Sequence, residues 1–141
     1  MTSLRENQVA LRISQWALSR SATTSAGDLL TAYELLNVLP EAWSWTWRLS
    51  NIHTGGGRGT FAIETWAKRG APVPGNKLRC ALQPGAQLWW GQLVGYAPDH
   101  IEPVLTIEAM DSSWFDITGS DEIVAELDRR LSKRFPGPAS R

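Results

Sequence analysis

The chain has 141 residues, room for one domain with its own core, and its 14 Lys and Arg balance 14 Asp and Glu. A zero net charge argues against a general polyanion binder, because phosphate contacts usually leave a basic balance. No apolar run nears the roughly 18 residues of a membrane span, Glu6 and Arg12 interrupt any signal-like start, and the single Cys80 forms no internal disulfide, so a cytoplasmic protein without a membrane partner is expected.

In chain order, Val9, Leu11 and Ile13 alternate and then slip to Trp16 and Leu18. This predicts a first strand with a bulge within Gln8 to Leu18, with a short helix as the competing reading. Ser25 to Asp28 reads as a capping box, and Leu29, Ala32, Tyr33 and Leu36 form one apolar stripe. A helix over about 26–38 follows, stopped by Pro40.

The stretch Ala42 to Ala67, AWSWTWRLSNIHTGGGRGTFAIETWA, holds half of the eight tryptophans. Trp43, Trp45, Trp47 and Leu49 alternate with Ser44, Thr46 and Arg48, which puts the four on one strand face. Beyond the glycines, Phe61, Ile63 and Ala67 alternate with Thr60, Glu64 and Lys68, so a β-hairpin is predicted. The tryptophan row is expected to wall the core, with an exposed interface patch as the alternative, and Trp66 to lie on the polar face.

Two prolines in Gly70 to Gly75 predict a loop, and Leu78, Cys80 and Leu82 a half-buried strand with a buried thiol. Pro84-Gly85 is a type II turn pair before a strand over Gln87 to Tyr96. Gly91 predicts a bulge there, and adjacent Trp89 and Trp90 are expected on opposite faces. Leu105, Ile107 and Ala109 mark a further strand from Pro103 to Met110, and Trp114 to Thr118 a short one. A helix over about 121–135 has Asp121 and Glu122 at its start, basic residues at its end, and Ile123, Val124, Leu127 and Leu131 as its stripe. The expected fold is α+β, a mostly antiparallel curved sheet of about five to seven strands with these two helices, in one domain over 1–135. A disordered tail is expected over 136–141.

Charge is segregated along the chain. Arg48, Arg58, Lys68, Arg69, Lys77 and Arg79 face only Glu64 in their stretch, whereas Asp99 to Asp128 holds nine acids and no Lys or Arg. Segregation of this kind marks a face for a charged partner, or else neutralises itself across the fold.

Catalytic patterns are sparse. His53-Thr-Gly-Gly-Gly-Arg-Gly59 makes His53, Gly55, Gly56, Gly57, Arg58 and Gly59 a candidate phosphate or ligand loop. It lacks the Lys-Ser or Lys-Thr of a P-loop, and a mobile hairpin tip explains its glycines without any ligand. No G-x-S-x-G elbow is present, and His53, Cys80, Asp99 and His100 lack the spacing of a metal site. Glu102, Glu108, Asp111 and Asp116 are carboxylates without the acid-x-Lys spacing of magnesium nucleases. The order of helix, hairpin and proline loop resembles the start of ubiquitin-conjugating domains, but their His-Pro-Asn segment and following cysteine are absent, so the resemblance assigns no residue a role.

Absent catalytic patterns and abundant tryptophan together predict a non-enzymatic protein-interaction domain, a small accessory, inhibitor or assembly protein without metal or cofactor. Its partner would be another protein or a second copy, met by Trp66, Trp89, Arg48, Arg58, Lys68 and Arg69. One alternative is a nucleic-acid binder using the basic, Trp-containing region 48–79. The other is a small enzyme with His53 or His100 as its base.

Overall fold

A computed structural model of the chain describes residues 11–14, 30–55, 60–82, 87–111 and 113–134. They form one six-stranded antiparallel sheet that does not close, with four α-helices. The strands are β1 (Leu11–Ser14), β2 (Thr46–Thr54), β3 (Val73–Pro74), β4 (Leu88–Tyr96), β5 (Leu105–Met110) and β6 (Trp114–Gly119). The helices are α1 (Ala32–Asn37), α2 (Thr60–Arg69), α3 (Gly75–Ala81) and α4 (Asp121–Arg134). The spatial order is β1-β6-β5-β4-β2-β3. The strands β4, β5 and β6 form a meander, and the two-residue β3 pairs with the start of β2.

One face of the sheet is apolar. Leu11, Ile13, Trp47, Leu49, Leu93, Leu105, Ile107, Phe115 and Ile117 are buried on it, each at an alternate position. Leu35, Leu36, Ile63, Leu78, Leu127 and Leu131 from the helices join the same core. The other face presents Arg12, Arg48, Ser50, Gln92, Thr106, Glu108, Asp116 and Thr118, and no described helix sends an apolar stripe into it.

The α+β class and the C-terminal helix agree with the sequence reading. Ser120 Oγ accepts from the Ile123 amide at 3.3 Å, which satisfies one free donor of the first turn of α4. The earlier helix starts later than expected. Thr31 caps α1, its Oγ1 accepting from the Glu34 amide at 3.2 Å, and the Ser25–Asp28 box lies outside the described residues. So do residues 136–141 and most of the first strand's expected range.

Three expected strand segments take another form. The return arm of the hairpin is α2, because Ile63, Trp66 and Ala67 sit at helical steps against the core while Phe61 stays 83% exposed. Leu78, Ala81 and Leu82 make the same 3- and 4-residue steps in and just after α3, which turns Cys80 outward rather than into the core. Trp43 belongs to a 3₁₀ turn over Pro40–Ser44, with Pro40 at its first position, and only Trp47 of the row lies on a strand. All three tryptophans are nevertheless buried. Trp47 Nε1 donates to the Ala42 carbonyl at 2.9 Å, Trp43 Nε1 to Asn37 Oδ1 at 3.3 Å, and the Trp45 and Trp47 rings lie 5.8 Å apart.

Helix α2 runs back alongside β2 and is tied to it at both ends. Glu64 Oε2 accepts from the Thr54 amide at 3.2 Å and its hydroxyl at 2.9 Å, and Arg48 Nη1 donates to the Gly70 carbonyl at 3.0 Å. The helix thereby shields a strand edge that β3 leaves unpaired beyond Trp47.

Candidate functional site

The pairing of β2 with β4 runs regularly from Thr46↔Tyr96 to Ser50↔Gln92 and then slips to His53↔Trp90. Asn51 and Ile52 on β2 thus oppose Gly91 alone, one residue too many, which is a β-bulge. Asn51 adopts φ 52°, a left-handed conformation its short side chain tolerates. Gly91 sits at φ 141°, and a Cβ there would stand 2.5 Å from Ile52 Cδ1, so the position suits only glycine.

The register slips a second time, between His53↔Trp90 and Thr54↔Leu88, which leaves Trp89 as an extra residue on β4. Trp89 and Trp90 are not divided between a buried and an open face: they are 45% and 44% exposed. Trp89 lies over Gly55, whose Cβ, were there one, would be 2.2 Å from the indole. Trp90 joins Ser50, Asn51, His53, Gly91, Gln92 and Glu108 around a cleft of about 630 Å³. Phe61, in the first turn of α2, is exposed at this same end of β2.

The cleft lies at one end of a polar row that crosses the open face. Register places Ser50 opposite Gln92, Gln92 opposite Glu108, Glu108 opposite Asp116 and Asp116 opposite Arg12. Ser50 Oγ donates to Gln92 Oε1 at 3.5 Å. At the other end, Arg12 Nε and Nη2 donate to the two Asp116 oxygens at 2.6 and 2.9 Å, a bidentate pair. The same guanidinium lies 4.6 Å from the centre of the Trp114 ring. Beside the end of β2, the Glu64 carboxylate of α2 is held below its usual range by the Thr54 hydroxyl and amide.

The residues singled out in the sequence separate in space. His53 and Glu108 line the cleft together, whereas His100 sits beyond the far end of β4, its Nδ1 3.0 Å from the Pro98 carbonyl. Gly56, Gly57, Arg58 and Gly59 lie outside the described residues. Trp66 is half buried in a groove of about 390 Å³ between α2 and α3, with Ala62, Asn76, Lys77, Cys80 and Ala81. Lys68 and Arg69 are exposed at the end of α2. Arg79 lies 5.9 Å from the Trp43 ring centre.

The sequence reading did not single out Ser50, Asn51 or Gln92. Their only signal was Gly91, which marked a bulge without saying which residues the bulge would gather. A third depression, about 530 Å³ between α1 and α4, holds Arg129, Arg130, Lys133 and Arg134. Arg130 is engaged there, donating to the Val38 carbonyl at 3.1 Å and to Glu41 at 3.3 Å, and Glu126 accepts from both Arg129 and Arg130.

The cleft lining offers one imidazole, one carboxylate, two amides, a hydroxyl and an indole, a set suited to hydrogen bonding and stacking. Among the described residues, no group of three His, Cys, Asp or Glu could hold a metal ion. Among the same described residues, no helix is long and apolar enough to cross a membrane.

Compared with protein-family models, curated proteins and solved structures, the chain matches none.

Proposed function

We propose that the protein is a non-enzymatic interaction domain that meets a protein partner, or a second copy, with the open sheet face at the β2–β4 bulge. The observation that carries this reading is the joint exposure of Trp89 and Trp90 on one strand, β4. Large indoles left half in water are costly unless something covers them, and tryptophan dominates the energetics of protein interfaces. Hydrogen-bonding groups beside Trp90 would supply a polar rim. The exposed Cys80 thiol suits a reducing, cytoplasmic setting.

Affinity capture from native lysate, with size-exclusion and light scattering, tests this on wild type and on Trp89→Ala/Trp90→Ala. The expected result is a partner or self-association that the double variant loses while its unfolding midpoint holds. A strict monomer whose captured proteins are the same in both forms would refute the reading.

The nucleic-acid alternative draws on a different surface, the exposed Lys68, Arg69 and Lys77 around half-buried Trp66. Fluorescence titration with single-stranded DNA decides it. Quenching that weakens steeply with salt supports it, and no quenching at low salt removes it.

A further inference from the structure

The two charged stretches of the sequence reach the surface as two different shapes. In the basic one, Trp66 of α2 lies half buried in a groove of about 390 Å³ against α3, where Ala62 and Ala81 make much of the lining apolar. Lys77 lines the same groove, and Arg69, three residues after Trp66, shares its helix face. Lys68 and Arg79 are exposed on the same two helices. Glu64, the one acid of this stretch, is turned to the Thr54 hydroxyl and amide beside β2.

The acidic stretch begins with a knob. Between β4 and β5, the His100 amide donates to the Ala97 carbonyl at 3.1 Å and the Val104 amide to the Gly95 carbonyl at 2.8 Å, which closes the loop on itself. Pro98 and left-handed Asp99, φ 65°, hold the two central positions of the turn. Just past it stands Ile101, 92% exposed, with Asp99 and Glu102 exposed on either side. Further along, Asp116 and Glu126 pair with Arg12 and with Arg129 and Arg130, all outside the basic stretch. One exposed isoleucine is ordinary on a protein surface. An apolar knob flanked by carboxylates, on a chain whose apolar groove is flanked by cations, is a complementary pair.

We propose that the chain associates with itself through these two parts, the Ile101 loop of one copy docking in the α2–α3 groove of another. Ile101 would rest against the Trp66 indole, with Asp99 and Glu102 beside Lys77 and Arg69. The inference goes beyond the interaction reading above and uses neither Trp89 nor Trp90. Each copy carries both loop and groove, so the contact either runs on from copy to copy or closes into a symmetric assembly. A knob this small buries little area, so the association is weak, concentration-dependent and opposed by salt.

The test is light scattering and sedimentation velocity on the full chain over a concentration series, at low and at high salt. The average mass should rise with concentration, and less so at high salt. Ile101→Ser and Lys77→Glu should each weaken association at least about tenfold and keep the wild-type unfolding midpoint. Mixed together, these two variants should regain one loop-in-groove contact, because the Lys77→Glu copy supplies an intact loop and the Ile101→Ser copy an intact groove. Trp89→Ala/Trp90→Ala should associate as wild type does.

A strict monomer at every concentration, wild-type association in Ile101→Ser, or two variants that fail to complement would each overturn the proposal. A monomer whose tryptophan fluorescence is quenched by single-stranded DNA in wild type and not in Lys77→Glu would also overturn it, giving the groove to nucleic acid. If Trp89→Ala/Trp90→Ala abolishes association and Ile101→Ser leaves it intact, this inference falls and the interaction reading stands.

Discussion

Trp43, Trp45 and Trp47 are buried, whereas Trp89 and Trp90 stand nearly half in water, although both groups lie at or beside strands of one sheet. Their neighbours make the difference. Around Trp47 the chain supplies an acceptor for the indole N–H, the Ala42 carbonyl, and a glycine opposite, Gly95, that leaves room for the ring. A buried indole with its N–H satisfied brings a large apolar area out of water at little polar cost. Around Trp90 the bulge at Gly91 disrupts the pairing, and the residues beside it are polar. The same side chain thus holds the fold together in one place and faces outward in the other.

The contrast is broken most severely at Trp47. Trp47→Ala removes a fully buried indole and should cost about 3–5 kcal/mol, much of a domain's typical 5–15 kcal/mol. Chemical denaturation and soluble yield check it, and Trp45→Ala should fall near the lower end of that range. Wild-type stability in both variants would mean that the row is not core.

Next in size is Gly95→Ala, on the partner strand. Its new Cβ would lie 2.8–3.0 Å from the Trp47 ring, so overpacking should cost about 1–3 kcal/mol. Differential scanning calorimetry measures it. Combined with Trp47→Ala, the second cost should shrink, because the ring it collides with is gone.

Trp89→Ala and Trp90→Ala sharpen the comparison from the other side. Each should change stability by under about 1 kcal/mol, the usual size for exposed sites, and show its effect in binding. A loss near that of Trp47→Ala would place these residues in the core instead.

The smallest effect concerns a charge network remote from both groups. Hydrogen bonds from Arg129 and then Arg130 bring the Glu126 carboxyl from 4.5 to about 2. A lowered folded-state value means the contribution is present above the unfolded value and is lost as pH falls. The stability gap between wild type and Glu126→Gln should therefore be constant above about pH 5 and close between about pH 4.5 and 2. Urea titrations across that range check it, and the size should be that of a surface pair. Because no tryptophan is involved, the Trp47→Ala cost should not follow the same pH curve.

Much of the architecture was legible before the structure. Leu105, Ile107 and Ala109 on β5 alternate cleanly, and α4 combines a Ser120 cap, acids first, cations last and one stripe, so local and long-range preferences agree there. The core membership of the Trp43–Trp47 row followed from hydrophobicity alone, and its secondary structure did not. At α2 and α3 the residue spacing was ambiguous. Ile63 and Ala67, like Leu78 and Leu82, are four apart, a separation that suits an even number of strand steps and one helical turn alike. Only packing against β2 and the 3₁₀ turn selected the helix.

The cleft was still less legible, since it joins residues near 50, 90 and 108 from three strands. Local sequence announced the glycine of the bulge, which is a backbone preference. The register on either side of it, and hence the meeting of His53, Trp90, Gln92 and Glu108, depends on hydrogen bonds between distant segments. Those pairings are set by burying the opposite face of the same strands, where one residue of slip would turn the core outward.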